Sequence, residues 1–356
     1  MKNIFLAFTP YHILLSCSIA LDYSQIDENF LFIISDFSES DALSRTLKNW
    51  QDPPFKKIIF LPGVYRKNIF RKRFVIRKNI KTLGNSIKDF KIDNFYVFND
   101  ARPEAQLILL SVKKNNKNAK DIYVEDGAGA YSSFLLKKKN YFKLLLSKIL
   151  YGIWYKDIII LGTSQWIDEV MAAFPQFVRP ELKTKKIIAI KKDNFVKILK
   201  EKVFSEYIAS SLDIEKLKQL DTLLIIAHSD LAQQFPRYKE IIKEIFNLVK
   251  IHNLKIAIKY HPREPSEDFL SVAERAVILP KSLPIELFYG FLPQVKFIIG
   301  DISTPLLTSK WLLGKPEVIS MALMLNYSDN YLFNTFKKLN IRLVDNITEI
   351  KNIISK

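Results

Sequence analysis

The chain has 356 residues, with 54 Lys+Arg against 37 Asp+Glu and a formal charge of +17; 48% of it is hydrophobic and 13% aromatic, with one Cys and four His. Intrinsic disorder is excluded by the apolar content, a disulfide scaffold by the single Cys17, and a Cys/His zinc module by the lack of ligands. The length suggests two domains, and the surplus of positive charge asks for an anionic partner: nucleic acid, acidic lipid, or a phosphorylated or sialylated substrate.

The opening apolar run stops at Thr9-Pro10 with no small-residue cleavage site after it, so it reads as a first strand rather than a signal peptide. Short β-branched and aromatic runs predict strands at 3–9, 30–34, 57–61, 95–99, 122–125 and 158–161. Helices fall between them, among them 11–22 and one starting near Ala101, where Pro103 suits a first helical turn. After a charged stretch at 191–220, strands restart at 222–227, 255–260, 276–279, 297–299 and 317–321. Continuously apolar strands separated by helices indicate parallel sheets covered on both faces. The expectation is an α/β protein of two Rossmann-like domains facing a cleft, 1–190 and 191–356, with 191–220 as the connection. No stretch reaches 18 uncharged apolar residues, so no transmembrane helix is expected. A cytoplasmic protein, peripheral on the cytoplasmic face of the inner membrane, fits this.

Three strand ends could carry chemistry. In Tyr123-Val124-Glu125-Asp126-Gly127-Ala128-Gly129 a strand ends in two acids and a glycine. Ligands bind beyond the carboxyl ends of strands in open α/β sheets, and a carboxylate there can accept a proton from a substrate hydroxyl. The plain alternative is a solvated turn. In Lys259-Tyr260-His261-Pro262-Arg263 a histidine follows an apolar strand that Pro262 stops. Its ring can bind a phosphate or protonate a leaving phosphate oxygen, or be purely structural. In Gly300-Asp301-Ile302-Ser303-Thr304-Pro305 a strand runs into a helix, whose free N–H groups and dipole favour a phosphate; a plain Ser/Thr cap is the alternative. Glu286, in a helix opening after Pro284, either holds ribose hydroxyls or steadies its own first turn. The strand end Ala227-His228-Ser229-Asp230 is a secondary candidate. No G-x-x-x-x-G-K-[ST], no G-x-G-x-x-G and no Asp-x-Asp occur. P-loop chemistry and metal-held nucleotides are therefore not indicated.

Together, Glu125-Asp126-Gly127, His261-Pro262 and Ser303-Thr304 resemble, in order and in their distribution over the two domains, the motifs of bacterial inverting sialyltransferases of the GT-B type. That group includes the lipooligosaccharide sialyltransferases and capsular polysialyltransferases. The opening Phe8-Thr9-Pro10-Tyr11-His12 also resembles their first strand and loop. The resemblance implies a GT-B-like fold, with an acceptor-side first domain and a nucleotide-sugar-binding second domain. The donor would be CMP-sialic acid, and no metal or other cofactor would be required. Glu125 would be the general base, with Asp126 and Gly127 shaping its loop. His261 would stabilise or protonate the leaving phosphate, with Pro262 stiffening its turn. Ser303 and Thr304 would bind that phosphate and Glu286 the ribose. Pro305 directly after the hydroxyl pair departs from some relatives and removes one N–H from the cradle.

From Arg66 to Lys88 there are nine Lys/Arg and no acid, interleaved with Ile69, Phe70, Phe74, Val75 and Ile76. From Lys137 to Tyr155 three lysines precede an apolar, aromatic helix. Both segments fit an anionic membrane or an anionic glycan or glycolipid acceptor. No recognised nucleic-acid module is present, so nucleic acid is not the expected partner. The reading that follows is a metal-independent, inverting transfer of sialic acid to a bacterial surface glycan, lipooligosaccharide or capsular polysaccharide. Two others stay open: a GT-B transferase using another activated sugar or CDP-glycerol, and a non-catalytic polyanion-binding or membrane-binding protein.

Overall fold

In a computed structural model of the chain, residues 1–355 are described apart from 24, 38, 39, 65 and 66 and the side chains of 230 and 231. Arg66, the first residue of the basic run, lies outside the described residues. The chain divides into two compact units, Met1–Ile198 and Leu199–Lys356. The charged stretch at 191–220 is shared between them. The helix Lys192–Leu199 buries Phe195 and Ile198, and the helices Lys202–Ser211 and Ile214–Lys218 follow in the second unit.

The first unit holds β1 (Lys2–Ala7), β2 (Glu28–Ser35), β3 (Lys57–Pro62), β4 (Asn94–Val97), β5 (Lys120–Val124), β6 (Glu169–Ala172) and β7 (Lys186–Ala189). They form one sheet in the order β3-β2-β1-β4-β5-β6-β7, and every pairing is parallel. In β1 and β2, residues 4–7 and 31–34 are closed from solvent without alternation, as a sheet covered on both faces requires. The edge strands β3 and β7 begin on exposed Lys57 and Lys186, and charge at an edge discourages further pairing.

The second unit holds β8 (Thr222–Ile226), β9 (Ile256–Tyr260), β10 (Val277–Leu279), β11 (Phe297–Gly300), β12 (Glu317–Ser320) and β13 (Ile341–Leu343). Their order is β10-β9-β8-β11-β12-β13, again with every pairing parallel. Each sheet thus reverses its winding beside its first strand, between β1 and β4 and between β8 and β11. That switch point is where open α/β sheets take ligands. The fold is the expected α/β class, two Rossmann-like parallel-sheet units of the GT-B kind.

One predicted strand is absent. Residues 158–161 form a loop, and β6, β7 and β13 are strands that periodicity missed. The reason lies in Asp100. Its buried carboxylate accepts the N–H groups of Gly162 (2.9 Å) and Ser164 (3.0 Å) and so ties that segment into a turn. Gly162 has φ +79°, and a Cβ there would meet the Tyr123 ring at 2.4 Å. An apolar run feeding such a turn leaves the sheet. The helix predicted near Ala101 runs from Pro103 to Asn115, with proline in its first turn.

Candidate active site

In the first unit the acids follow β5, and the loop after β1 comes to meet them. Thr9 caps the helix Pro10–Ala20, its Oγ1 accepting the His12 N–H at 3.2 Å. That first turn presents Tyr11 and His12 to the two acids. Glu125 is 2% exposed. Its Oε1 accepts the Tyr11 hydroxyl at 2.9 Å, and its Oε2 accepts the Ala173 N–H at 2.9 Å and the Tyr131 hydroxyl. Asp126 is more open, with a quarter of its side chain exposed (26%), and its Oδ1 meets His12 Nε2. Gly127 has φ 102° and ψ −140°, a conformation in which an L side chain is strained. The expected sharp turn after the acids therefore depends on glycine.

His12 is itself closely held. It is 2% exposed, its Nδ1 accepts the Phe8 N–H at 3.2 Å, and its ring stacks on Phe98 with centroids 4.3 Å apart. Behind it, Arg102 lies over the Phe8 ring at 5.0 Å and pairs with Asp36 at 3.0 Å and Glu104 at 3.3 Å. A cavity of about 470 Å³ opens at the carboxyl ends of β2 and β3, lined by Ser35, Ser44, Lys48, Gly63 and Lys67 among others. It is set apart from the acid loop, since β1 and β4 lie between β2 and β5 in the sheet.

In the second unit the candidate residues sit at the carboxyl ends of β9, β8 and β11, which are adjacent in that order. Two strand spacings, about 10 Å, separate the outer pair. His261 opens a turn in which its carbonyl accepts the Glu264 N–H at 2.9 Å, with Pro262 the first of the two central residues. The Arg263 N–H donates to His261 Nδ1 at 3.1 Å, leaving the ring proton of the neutral imidazole on Nε2. Although His261 counts as exposed by surface area, protein atoms crowd the ring. That crowding first, and the like charges of Arg263, His228 and Lys259 after it, lower its pKa to about 3. The His228 ring stands edge-on to it at 5.6 Å and bonds the Arg263 carbonyl through Nε2 at 2.9 Å. The secondary strand end at 227–229 therefore belongs to this wall. Buried Glu264 accepts the Ser229 N–H at 2.8 Å and fastens the two loops together.

Ser303 is the N-cap of the helix Thr304–Leu312 and makes no capping bond; its hydroxyl lies within reach of the Asp301 carboxyl and favours its charged form. Asp301, beside it, is fully enclosed. Its Oδ2 accepts the Tyr238 hydroxyl at 3.0 Å, and burial raises its pKa. Tyr238 also accepts the Ala227 N–H at 2.8 Å, joining the ends of β8 and β11. Glu286 lies in a tight 3-10 turn, Ile285–Phe291. It is 2% exposed; its Oε1 takes the Thr308 hydroxyl at 2.7 Å, and burial raises its pKa. In this geometry Glu286 fastens the turn to the Thr304–Leu312 helix through one of its oxygens.

Beneath the wall, buried Lys259 donates to the carbonyls of Tyr260 (3.1 Å) and Lys281 (3.2 Å), and buried Lys281 to those of Glu264 (3.1 Å) and Ser266 (3.2 Å). Sequence reasoning singled out neither Lys281 nor Glu264. It noted Tyr11 and His12 only as part of a resemblance. Their one available signal was placement, at the end of the first strand beside the switch point.

Residues 3–322 match the family model described as Alpha-2,8-polysialyltransferase (POLYST). No curated protein sequence matches the chain. Among solved structures, a UDP-GlcNAc 2-epimerase from Methanocaldococcus jannaschii in complex with UDP-GlcNAc and UDP is similar at 15% identity and TM-score 0.60, over 100% of this chain and 92% of that one. An alpha/beta-galactoside alpha-2,3-sialyltransferase from Photobacterium phosphoreum is similar at 15% identity and TM-score 0.55, over 96% of this chain and 98% of that one. At these identities the likeness is one of fold.

Proposed function

The chain belongs to the alpha-2,8-polysialyltransferase family and is a glycosyltransferase, and from that premise we propose that it transfers sialic acid from CMP-sialic acid to a bacterial surface glycan, with inversion and without a metal. The observation that carries the reading is the backbone bond to His261 Nδ1. With Nδ1 engaged by the Arg263 N–H, the ring offers Nε2–H as a donor. Ser303 Oγ and the N–H groups opening the Thr304–Leu312 helix supply more donors two strands away. Donors of this kind neutralise charge that gathers on a leaving phosphate. In the proposed reaction the CMP phosphate departs towards this wall with the bonding electron pair. An acceptor hydroxyl attacks the anomeric carbon from the other face and loses its proton to the acidic pair at 125–126.

The acceptor side of the proposal rests on the first unit. Ten of the sixteen large apolar side chains that stand exposed among the described residues fall within 69–74 and 134–153, including Phe70 (77%), Phe142 (72%) and Ile153 (89%). They are interleaved with the lysines and arginines already named, a combination suited to an anionic lipid surface and to a glycolipid acceptor held in it. Among the described residues no helix is long and apolar enough to cross a membrane, so the proposed contact is peripheral, on the cytoplasmic face. A panel of nucleotide-activated donors, scored by nucleotide release and product mass with EDTA present, tests the proposal. Product from CMP-sialic acid alone is expected; product only from another donor would replace this reading.

A further inference from the structure

We infer, resting on the leaving-phosphate role proposed above for His261, that His228 is its positioning residue: His228 holds the backbone of Arg263, and that backbone holds the His261 ring. Residue 263 is gripped by both histidines. Its carbonyl meets His228 Nε2 at 2.9 Å, and its N–H meets His261 Nδ1 at 3.1 Å. Backbone groups cannot exchange roles, so they fix both tautomers. A carbonyl only accepts, and His228 Nε2 therefore carries a hydrogen. A peptide N–H only donates, so the neutral His261 ring keeps Nδ1 bare and its hydrogen on Nε2. The bond at one ring nitrogen of a histidine sets what the other nitrogen can do. Here that bond is made by the turn after β9, and the turn is held from the end of β8. Arg263, His228 and Lys259 also oppose a positive charge on the His261 ring, which suits it to act as a neutral Nε2–H donor.

The loop after β8 is anchored well enough to do this. β8 is buried along its whole length and lies between β9 and β11 at the switch point of its sheet. As the strand ends, the Ala227 N–H donates to the Tyr238 hydroxyl at 2.8 Å, and the His228 carbonyl accepts the Ala232 N–H at 2.9 Å. The backbone bearing the His228 ring is thus bonded on both sides. The Ser229 N–H ties the same two loops a second time, donating at 2.8 Å to buried Glu264, whose other oxygen accepts the Ser266 N–H at 3.0 Å. The two imidazoles meet edge-on, with their planes 85° apart, so packing restrains the His261 ring as well as hydrogen bonding. The arrangement follows the base-and-orienter logic of acid–base sites, with one peptide unit standing between the two rings.

Side-chain amides isolate the bond to Arg263. Gln places an amide nitrogen where histidine Nε2 lies and can still donate to the Arg263 carbonyl; Asn is one carbon shorter and cannot reach it. Both remove the imidazole. Nitrogen NMR of isotope-labelled protein reads the tautomers at about pH 7 with no donor present. Wild type and His228→Gln should show His261 with Nε2 protonated and Nδ1 bare, and His228→Asn should show both tautomers. We expect His228→Asn to lower kcat about 10–30-fold with donor KM within about threefold, and His228→Gln to recover kcat to within about threefold of wild type. In a His261→Ala background, His228→Asn should cost less than about twofold more, because a residue acting only through His261 then has nothing to position. Equal losses in the Asn and Gln variants, or a full further loss in the His261→Ala background, would overturn the assignment. So would a wild-type spectrum with the His261 proton on Nδ1 or with His228 Nε2 bare, and that spectrum decides should the His228 variants fail to fold. The tautomers do not depend on the donor. If wild type releases no CMP from CMP-sialic acid, the donor reading has failed; the spectra still judge the tie between the two histidines, and the kinetic comparison moves to whichever donor the panel identifies.

Discussion

Binding of CMP should draw a proton onto His261, and the size of the change follows from the charges around it. In the free protein the ring is held at about 3, below its ordinary 6.5, by the protein packed on it and then by Arg263, His228 and Lys259. A phosphate oxygen about 4 Å from Nε2 would favour the imidazolium by roughly 4 kcal/mol per unit charge at an effective dielectric of 20. Solvent on the open side of this exposed residue cuts that to about half. The expected rise is therefore roughly 1.5 pKa units per phosphate charge. The pH dependence of the His261 ring resonances, identified by their loss in His261→Ala and followed with and without saturating CMP, measures it. Arg263→Gln should raise the free value as well, since it removes one repelling charge. The stability consequence has a definite sign. Because the folded value is lowered, the unfolded chain binds the extra proton between about pH 6.5 and 3, and stability falls as pH drops through that window. A free value near 6.5, or one that CMP leaves in place, would refute the reasoning.

Ser303 makes no capping bond to its helix, so Ser303→Ala should leave the melting temperature within about 2 °C yet raise donor KM about tenfold, the worth of one lost hydrogen bond to a charged group; a lowered melt with unchanged KM would assign the hydroxyl to the fold. Asp121 is buried with neither carboxylate oxygen hydrogen-bonded, Oδ2 lying 3.8 Å from Lys113 Nζ, and burial outweighs that lysine to raise its pKa to about 8. The folded protein then holds a proton that the unfolded chain releases above about pH 4, so stability falls as pH rises from there to about 8; Asp121→Asn should flatten that fall and gain roughly 1–3 kcal/mol at pH 8 by urea unfolding, with little gain at pH 4. Phe70→Ser with Phe142→Ser should weaken binding to phosphatidylglycerol-containing vesicles by at least about tenfold per ring, and salt should weaken what remains; unchanged cosedimentation would remove the membrane from the proposal.

The fold was legible where burial on two faces makes a strand apolar throughout, as in β1, β2, β8 and β9. It was illegible where the signal is short and half exposed. β13 is three residues with an arginine in the middle, and the run at 158–161 has a strand's composition but is bent into a turn by Asp100, some 60 residues earlier in the chain. The site divides the same way. Glu125, Asp126, Gly127, His261, Ser303 and Thr304 announced themselves by standing at strand ends. What distinguishes Glu125 from Asp126 lies 114 residues away, in Tyr11 and His12, and no local pattern carries it. Glu286 adds a further case: a first-turn glutamate after proline is visible in sequence, and only the packed structure reveals that Thr308 holds one of its oxygens. The positive charge was visible at once, but that Phe70, Phe142 and Ile153 stand exposed among the lysines is a fact of packing.

The proposed transfer from CMP-sialic acid, with His261 at the leaving phosphate, is most directly tested by CMP release from CMP-sialic acid in the presence of EDTA and an oligosialic acid acceptor. The account predicts sustained release matched by acceptor extension in wild type, at least about 10²-fold slower in His261→Ala. Release that EDTA abolishes and added divalent metal restores, or that persists at full rate in a folded His261→Ala protein, would contradict it.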